Sequence, residues 1–261
     1  FMTEKLEMPS GLRVLVTAGA AGIGRAIAEE FDTAHAKIHV CDLSQEALDA
    51  CRAIHPDWGY SLCDVSDEKQ VARMFEDVRD HLGGLDVLVN NAGIAGPTAG
   101  VEDINPQDWD LTVRVNLNGQ FYCAHHAVKL LKQSDNASIV CIASIAGRLA
   151  YANRTPYAAT KWAIRGFAES LACELGPAGI RVNTILPGIV EGPRIDHVIR
   201  ARAEKENVSF DDMKKTYKNM ASLQRMVTAQ DVARQVLFLC SPYGRNISGQ
   251  SISVDGHVRA L

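Results

Sequence analysis

The sequence predicts an α/β fold, a single domain in which a parallel sheet of about seven strands carries helices on both faces. Short β-branched runs alternate with longer segments of helical periodicity along the chain, which predicts a parallel sheet. The 261 residues suffice for one large domain, and no repeat, low-complexity tract or linker divides them. The first apolar run passes directly into a glycine-rich turn and then a helix, as in doubly wound sheets.

Seven runs are predicted as strands because each is short, apolar and rich in β-branched residues. In chain order they cover residues 12–17, 37–41, 60–63, 85–90, 138–143, 180–186 and 251–254. Helices are predicted between them from apolar spacing, with Gly83 and Gly84 as a stop signal and Pro106 and Pro156 in first turns. These helices cover about residues 23–34, 45–54, 68–82, a long segment from 106, and 156–175. The alternation predicts a Rossmann-type, doubly wound arrangement.

Residues 194–223 are the exception to this tight pattern. The segment is long, carries charges of both signs and is helical in places. Two explanations stay open: a solvated surface excursion, or a mobile lid over a substrate, since long insertions in compact domains are often functional. We therefore expect one domain over residues 1–261, with a substrate lid at about 194–223.

Composition excludes several classes of protein. A formal net charge of −4 and an isoelectric point of about 6.1 argue against a nucleic-acid partner. No apolar stretch approaches a membrane span and the N-terminal region lacks a signal-peptide core, so a cytoplasmic location without membrane contact is expected. The seven cysteines are dispersed and form no Cys-x-x-Cys, and His125 and His126 lack metal-ligand spacing, so neither disulfides nor a metal is expected.

A glycine-rich turn, Thr17-Ala-Gly-Ala-Ala-Gly-Ile-Gly24, follows the first strand and opens the first helix. Small residues in this context let backbone N–H groups approach a pyrophosphate at the helix N-terminus, where the helix dipole favours anions. The alternative is a tight strand–helix turn with no ligand. The motif predicts a dinucleotide site.

Asp42 ends the second strand, where a carboxylate can accept hydrogen bonds from an adenosine ribose and repel a 2′-phosphate. No lysine or arginine lies in residues 40–43 or at Ala20 and Ala21, so NAD is favoured over NADP. The alternative role for Asp42 is a cap for the helix after Ser44. Two more polar turns follow strands three and four, and they are expected at the same sheet edge: Asp64-Val65 and Asn90-Asn-Ala-Gly93.

Tyr157 and Lys161 lie one turn apart on a helix opened by Pro156, which places phenol and ammonium on one face. A cation beside a phenol favours the phenolate, which makes a tyrosine usable as a general acid or base. Ser144, at the end of the fifth strand, could hold the reacting oxygen. A Tyr-x-x-x-Lys pair also occurs by chance on solvated helices, so the pair indicates a catalytic site only together with the surrounding motifs.

With these motifs in register, the chain resembles the short-chain dehydrogenase/reductase family over essentially its whole length. The resemblance implies that Tyr157 exchanges a proton with the substrate oxygen and that Lys161 favours the phenolate and hydrogen-bonds the nicotinamide ribose. It implies that Ser144 holds the substrate oxygen and that Asn116 holds a water linking Lys161 to solvent. The cofactor-binding residues expected from motif and resemblance are Gly19, Gly22, Ile23, Gly24, Asp42, Asp64, Val65, Asn90, Ala92, Gly93, Tyr157, Lys161, Pro187, Gly188 and Val190.

Two positions depart from the family pattern. The family usually has Thr-Gly where this chain has Thr17-Ala18, and alanine is expected to fit if the position requires only small bulk. The family often has a threonine five residues after the proline of the Pro-Gly motif, and here that position is Gly192. We therefore expect changed contacts around the nicotinamide carboxamide and the nearby substrate pocket.

The substrate is predicted from polar residues near the expected reaction centre. Arg148, Asn153 and Arg154 lie between Ser144 and Tyr157, and Arg194 opens the lid segment. Arginines are preferred partners of carboxylates and phosphates, which favours a small polar secondary alcohol or ketone that is sugar-like or acid-bearing. The alternative is that these arginines form surface or subunit ion pairs.

The predicted activity is hydride transfer between NAD(H) and the carbinol or carbonyl carbon of that substrate. Three alternatives stay open: an NADPH-dependent carbonyl reductase, a non-catalytic dinucleotide-binding protein, and an epimerase or dehydratase, whose relatives tend to be longer. The resemblance also implies a homotetramer with interfaces on helices 106–131 and 156–175. Trp58, Trp109 and Trp162 are expected to be packing residues.

Overall fold

The computed structural model describes residues 8–260, in which the side chains of Arg194, Ala201 and Lys205 lie outside the described residues. Seven strands form one sheet in the order β3-β2-β1-β4-β5-β6-β7, and every neighbouring pair is parallel. The strands are β1 (Arg13–Thr17), β2 (Lys37–Asp42), β3 (Gly59–Leu62), β4 (Val87–Asn90), β5 (Ser138–Ile142), β6 (Arg181–Pro187) and β7 (Ser251–Val254). The strand order reverses between β1 and β4, as in a doubly wound sheet, so the predicted fold class is confirmed.

Helices cover both faces of the sheet. They are α1 (Gly22–Thr33), α2 (Gln45–Ile54), α3 (Glu68–Leu82), α4 (Pro106–Val113), α5 (Gly119–Leu131), α6 (Thr155–Leu175), α7 (Pro193–Glu206), α8 (Phe210–Asn219) and α9 (Ala229–Cys240). One buried apolar cluster joins the sheet to α1, α2 and α9, and a second joins it to α3, α5 and α6. Burial of these two clusters is the main force that holds the layers together.

Local sequence fixes several helix ends. The Asp67 carboxylate accepts hydrogen bonds from the backbone N–H groups of Lys69 and Gln70 at the start of α3. Helix α3 then ends at Gly83, whose φ of 72° is the left-handed conformation that glycine adopts without strain. At α9, Thr228 and Asp231 form a reciprocal capping box. Helix α9 was not predicted from the sequence, although this capping box precedes it.

The long helix predicted from Pro106 is interrupted. Helix α4 ends at Val113, a π-helical turn runs over Arg114–Asn118, and α5 begins at Gly119. π-Helical turns appear frequently at functional sites, and this one carries Asn116. Most strand bounds also differ from prediction by one or two residues; β4, for example, begins at Val87 rather than at residue 85.

The predicted lid segment contains α7 and α8, which pack against each other. A small apolar cluster joins them to the segment that follows α8, and it is formed by Ile199, Ala203, Met213 and Met226. We call residues 193–219 the α7–α8 unit. Its separate cluster fits a folded substructure better than a loose surface excursion, while its motion as a lid stays a prediction.

The tryptophans behave differently from one another. Trp58 is buried and stacks on His55, as expected for a packing residue. Trp109 on α4 and Trp162 on α6 are 39% and 48% exposed, so the expectation was wrong for these two in the single chain.

Three further features of residues 8–260 concern membrane-spanning helices, disulfides and metal-binding groups. None of their helices is both long enough and apolar enough to cross a bilayer. Their seven cysteines are all free thiols, six of them buried, and they contain no group of three histidine, cysteine or acidic side chains arranged to hold a metal ion.

Candidate active site

The glycine-rich turn is tied to the end of β4. The Asn91 amide donates hydrogen bonds to the carbonyls of Thr17 and Ala18, at 3.0 and 3.1 Å. In return, the Thr17 hydroxyl accepts from the backbone N–H groups of Asn91 and Ala92, both at 2.9 Å. Gly24 leaves no room for a side chain, because a Cβ there would overlap the Ala18 carbonyl oxygen and the Asn91 amide. Asn91 therefore shapes the turn, a role that its place in the Asn90–Gly93 motif did not reveal.

The turn fits a dinucleotide pyrophosphate. At the N-terminus of α1, Ala21 supplies no side-chain cap and the first turn holds no acidic residue, so no side chain competes for the N–H groups there. Gly22 has a φ of 56°, and no atom lies within 4 Å of where its Cβ would stand. An open space in front of an uncapped helix N-terminus suits an anion.

Ala18 occupies a demanding backbone position. Its φ is 49°, in the left-handed region that costs a residue with a Cβ roughly 1–2 kcal/mol. From the sequence, small bulk was expected to be the requirement at this position. The position instead requires a left-handed backbone, which glycine would adopt more easily, so the departure from the family pattern places strain in the turn.

Asp42 contacts both the turn and the next helix. One carboxylate oxygen accepts from the backbone N–H of Ala20 at 3.3 Å, and the other accepts from that of Ser44 at 3.1 Å. The N-terminus of α2 is capped by the Ser44 hydroxyl instead, which accepts from Ala47. Asp42 therefore reaches the glycine-rich turn from the end of β2, and its contact with a ribose stays a prediction.

The turn after β3 lies beside the same edge. The Asp64 carboxylate accepts from the backbone N–H of Ser66 at 2.9 Å, which fixes the turn. Val65 is buried and packs against Gly119, where a Cβ would come within 2.9 Å of it. Both residues lie after the carboxyl end of β3, as predicted.

Asn90 and Asn116 anchor the segment after β4. The Asn90 side chain is buried and donates to the carbonyl of Gln120 at 3.1 Å, so its amide contacts α5. Asn116 is also buried, and its amide accepts from the N–H of Ile94 at 2.7 Å and donates to the Ile94 carbonyl at 3.0 Å. The π-helical turn thus aims Asn116 at the backbone that follows Gly93.

Lys161 lies between the carboxyl end of β5 and the ring of Tyr157. Its ammonium donates to the carbonyl of Ile142 at the end of β5, at 3.0 Å, and lies 5.6 Å from the centroid of the Tyr157 ring. A Cβ on Gly93 would be 3.4 Å from this ammonium and 3.2 Å from the Asn116 amide oxygen. Four of the predicted residues therefore meet in one place: Gly93, Asn116, Tyr157 and Lys161.

The Cys141 thiol lies close enough to Lys161 for the lysine charge to act on it. Burial raises the pKa of the Cys141 thiol to about 12, against the opposing influence of Lys161, so the thiol stays protonated at neutral pH. The Asn116 amide also donates to the Thr160 hydroxyl at 3.1 Å, and Thr160 donates to the carbonyl of Tyr157 at 2.8 Å. This chain of hydrogen bonds holds the first turn of α6 against the π-helical turn.

Ser144 opens a short 3₁₀ turn, Ile145–Gly147, directly after β5. Its hydroxyl oxygen accepts from the N–H of Ala146 at 3.1 Å, which leaves the hydroxyl proton for another acceptor. Gly147 packs against α6, since a Cβ there would come within 2.5 Å of the Lys161 carbonyl oxygen. The turn that carries Ser144 is thereby pressed against the helix that carries Tyr157 and Lys161.

The segment after β6 borders the same edge. The Gly188 N–H donates to the carbonyl of Val254 at 2.9 Å, and Val190 pairs with Val227 in an isolated parallel bridge. Gly192 has a φ of 148°, a conformation that glycine adopts readily and a threonine does not. The backbone is therefore routed differently from one that carries a threonine at this position.

The predicted substrate residues have partners within the chain. The Arg148 guanidinium pairs with Asp255 at 3.2 Å. Arg154 donates to the carbonyl of Ala95 at 2.9 Å and lies 5.4 Å from the centroid of the Tyr157 ring. Asn153 adopts a φ of 59°, and its carbonyl accepts from Ala99. Arg194 is the second residue of α7, but its side chain lies outside the described residues.

Comparison with known proteins agrees with this geometry. A family model described as "Enoyl-(Acyl carrier protein) reductase" matches residues 18–258. A short-chain dehydrogenase/reductase of Armillaria gallica is 37% identical over 255 residues, covering 95% of this chain and 96% of the relative. A tropinone reductase homolog of Datura stramonium is 34% identical over 251 residues, covering 94% and 91%.

Two solved structures share the whole fold. Levodione reductase has a TM-score of 0.87 at 28% identity, with 95% of this chain and 97% of that chain covered. L-Sorbose reductase from Gluconobacter frateurii, complexed with NADPH and L-sorbose, has a TM-score of 0.89 at 26% identity, with 97% and 98% covered.

A glycine-rich turn on a doubly wound sheet, with a tyrosine and a lysine one helical turn apart at its edge, defines a nicotinamide-dependent oxidoreductase. The chain belongs to the short-chain dehydrogenase/reductase family, as the resemblance predicted. It is an oxidoreductase of alcohol and ketone substrates, and its family binds a nicotinamide dinucleotide.

Proposed function

We propose that this protein transfers a hydride between NAD(H) and the carbinol or carbonyl carbon of a small polar secondary alcohol or ketone. The observation that carries the choice of NAD is Asp42, whose carboxylate reaches the backbone of Ala20 at the glycine-rich turn. A 2′-phosphate at this place would meet a negative charge. Arg25, the cation in the first turns of α1, is already paired with Glu29 at 2.8 Å.

The bound nicotinamide would supply the hydride chemistry, and the chain would handle the proton and the geometry. Tyr157 exchanges the proton with the substrate oxygen, and the Lys161 ammonium lies 5.6 Å from the centroid of its ring. Ser144 uses its free hydroxyl proton to hold that oxygen. Asn116 fixes the backbone at Ile94 and holds the water that links Lys161 to solvent, while the predicted cofactor residues line the sheet edge.

Cofactor choice is tested by comparing kcat/KM for NADH and NADPH, with NADH expected to be preferred. The double variant Asp42→Ala with Leu43→Arg removes the charge and adds a cation at the adjoining exposed position. We expect it to shift the ratio toward NADPH on the order of 100-fold, the equivalent of about 3 kcal/mol. A ratio unchanged by the double variant contradicts the role of Asp42.

A second candidate is an NADPH-dependent carbonyl reductase. It is favoured by the likeness to L-sorbose reductase, whose structure contains NADPH. If wild-type enzyme prefers NADPH, the second candidate replaces the first, and the catalytic residues keep their roles.

The substrate class is proposed from Asn153, Arg154 and Arg194, which suit sugar-like or acid-bearing molecules. Arg148, the fourth residue predicted for the substrate site, is paired with Asp255 at 3.2 Å and is left out of this proposal. The names of relatives add cyclic alcohols and ketones to the candidates, since they include tropinone reductase homologs and a borneol dehydrogenase. A panel of secondary alcohols, polyols, hydroxy acids and borneol with NAD, followed by NADH absorbance, tests this proposal. Arg154→Ala with unchanged KM and kcat on the best substrate would remove Arg154 from the substrate site.

We further propose a cytoplasmic homotetramer, with oxidation of the alcohol as the physiological direction because NAD is usually held oxidised in cells. The exposed rings of Trp109 and Trp162 support an interface on the predicted helices, since large apolar side chains are usually covered. Light scattering measures the assembly. Replacing Trp162 with glutamate is expected to dissociate it, and a monomeric wild-type protein contradicts the proposal.

A further inference from the structure

Asp255 lies just beyond β7, outside the motifs of the family resemblance. Its side chain is 6% exposed, whereas that of its partner Arg148 is 42% exposed. The pair joins residues 107 positions apart, at a distance of 3.2 Å between Nη2 and Oδ2. A nearly buried carboxylate needs a partner for its charge, so the position of the Arg148 guanidinium is important.

Arg148 connects this carboxylate to the turn that carries Ser144. Its backbone N–H donates to the carbonyl of Ile145 at 2.9 Å, which makes Arg148 the end of the 3₁₀ turn. When the guanidinium is held by Asp255, the turn is held as well.

Asp255 also touches the segment after β6. A Cβ on Gly188 would lie 2.6 Å from the Asp255 Cα, so these two backbones are in close contact. The Gly188 N–H is bonded to the neighbouring Val254 carbonyl at 2.9 Å. The segment proposed to border the nicotinamide therefore rests directly on Asp255.

The second oxygen of Asp255 organises the turn that follows. It accepts from the backbone N–H of His257 at 2.9 Å. This turn includes Gly256 and His257, with φ values of 64° and 63°. A left-handed backbone at a histidine is sparsely populated, so the hydrogen bond to Asp255 helps to hold it.

That turn contacts residues 222–223, the segment that follows α8, which we call the root of the α7–α8 unit. The Ser222 N–H donates to the carbonyl of His257 at 2.9 Å, and the Leu223 N–H donates to that of Gly256 at 3.1 Å. The Ser222 hydroxyl and the Nδ1 atom of His257 are 2.7 Å apart, which adds a side-chain hydrogen bond. The turn at residues 256–257, next to Asp255, therefore holds residues 222–223 in place through three hydrogen bonds.

We infer that Asp255 is a positioning residue whose carboxylate, through its ion pair with Arg148, holds three parts of the site together. These parts are the Ser144 turn, the Gly188 segment and the root of the α7–α8 unit. The inference rests on the proposed function for its effect on turnover, whereas its effect on the α7–α8 unit is independent of it. Arg148 on this account acts within the chain and does not bind an acidic substrate.

The test compares Arg148→Met, Asp255→Asn and the double variant with wild type. Each single variant is expected to lower kcat on the best alcohol of the panel roughly tenfold, and the double variant no further, because both break one pair. The Kd of NADH, measured by fluorescence, is expected to stay within about twofold, because Asp42 and the glycine-rich turn are untouched. Because Arg148 is the more exposed partner, Arg148→Met tests the pair even if Asp255→Asn folds poorly.

Trypsin supplies a readout without substrate. The α7–α8 unit carries exposed sites such as Arg200 and Lys215, and cleavage there is expected to accelerate at least about fivefold in both single variants. The matched control is Asp86→Asn, which breaks another buried pair, with Arg13, at the opposite edge of the sheet. It is expected to lower Tm while kcat and trypsin cleavage stay within about twofold of wild type.

Three results would overturn the inference: losses in kcat that multiply in the double variant, trypsin cleavage that matches wild type, or a control that behaves like Asp255→Asn. A raised KM for acid-bearing alcohols in Arg148→Met alone would also overturn it and assign Arg148 to substrate binding. If wild-type enzyme oxidises no alcohol of the panel and reduces no matching ketone, the proposed function fails, and the trypsin comparison still decides the inference.

Discussion

Protonation of His39 is expected to destabilise the fold below neutral pH. His39 lies on β2, is 2% exposed, and its Nε2 atom is 2.9 Å from the Ser61 hydroxyl. Ser61 donates its own proton to Asp77 at 2.6 Å, so His39 must donate from Nε2, and its Nδ1 is left without a partner among the described residues. Burial, with a smaller repulsion from His81, lowers the pKa of His39 to about 4.

The sign of the effect follows from the unfolded chain, where an ordinary histidine has a pKa of about 6.5. Between the two pKa values the unfolded state binds a proton that the folded state does not, so stability is lost as pH falls from about 6.5 toward 4. At about pH 5 the loss relative to about pH 7.5 is about 2 kcal/mol from this one group.

Urea unfolding at about pH 7.5 and about pH 5 measures the free energy of unfolding in wild type and in His39→Gln, whose amide can still donate to Ser61. The fall in stability between the two pH values is expected to be about 2 kcal/mol smaller in the variant. The matched control is His197→Gln, which removes an exposed histidine of α7 and should preserve the wild-type difference. If His39→Gln shows the same pH dependence as wild type, the buried neutral state of His39 is refuted.

Two further substitutions test individual contacts at the sheet edge. Gly188→Ala places a Cβ 2.6 Å from the Asp255 Cα, so kcat is expected to fall at least about tenfold, measured by steady-state kinetics; an unchanged kcat contradicts the close contact. Asn116→Ala removes three hydrogen bonds to Ile94 and Thr160 and is expected to cost about 2–4 kcal/mol in urea unfolding; a cost below about 0.5 kcal/mol contradicts the anchoring role.

The fold was largely predictable because its signals are local. Residues 251–254 were predicted as a strand with the bounds that β7 has, and 45–54 and 68–82 match α2 and α3. Short β-branched runs and helix caps act within a few residues, so they can be recognised without knowing the partners. Helix α9 had the same kind of signal, a capping box at Thr228 followed by apolar residues, and was recoverable from the sequence.

Other features depend on contacts between distant segments. The π-helical turn at Arg114–Asn118 has no sequence signature, and the hydrogen bonds from Asn116 to Ile94 accompany it. Strain at Ala18 could be suspected from the missing glycine, but its φ is set by the surrounding turn. The ion pair of Arg148 with Asp255 spans 107 positions and follows no spacing rule, which is why the sequence suggested a substrate contact for Arg148 instead.

The geometry of the candidate site was predictable to the extent that it depends on fixed spacing along one element. Tyr157 and Lys161 share a helix, so their proximity follows from helical geometry alone. The proximity of Gly93 and Asn116 to Lys161 could not be predicted from spacing, because these residues come from different elements that only the folded sheet brings together.

The central claim is that Tyr157 moves the proton of the reacting alcohol. In Tyr157→Phe the ring and its packing remain while the hydroxyl is lost, so NADH binding by fluorescence should stay within about twofold of wild type. NADH absorbance is expected to show kcat reduced by about 1,000-fold with the best alcohol and NAD. Tyr243→Phe, at an exposed position beyond α9, is the matched control and should keep the wild-type rate. Full turnover by Tyr157→Phe would contradict the assignment of Tyr157 as the acid/base of this site.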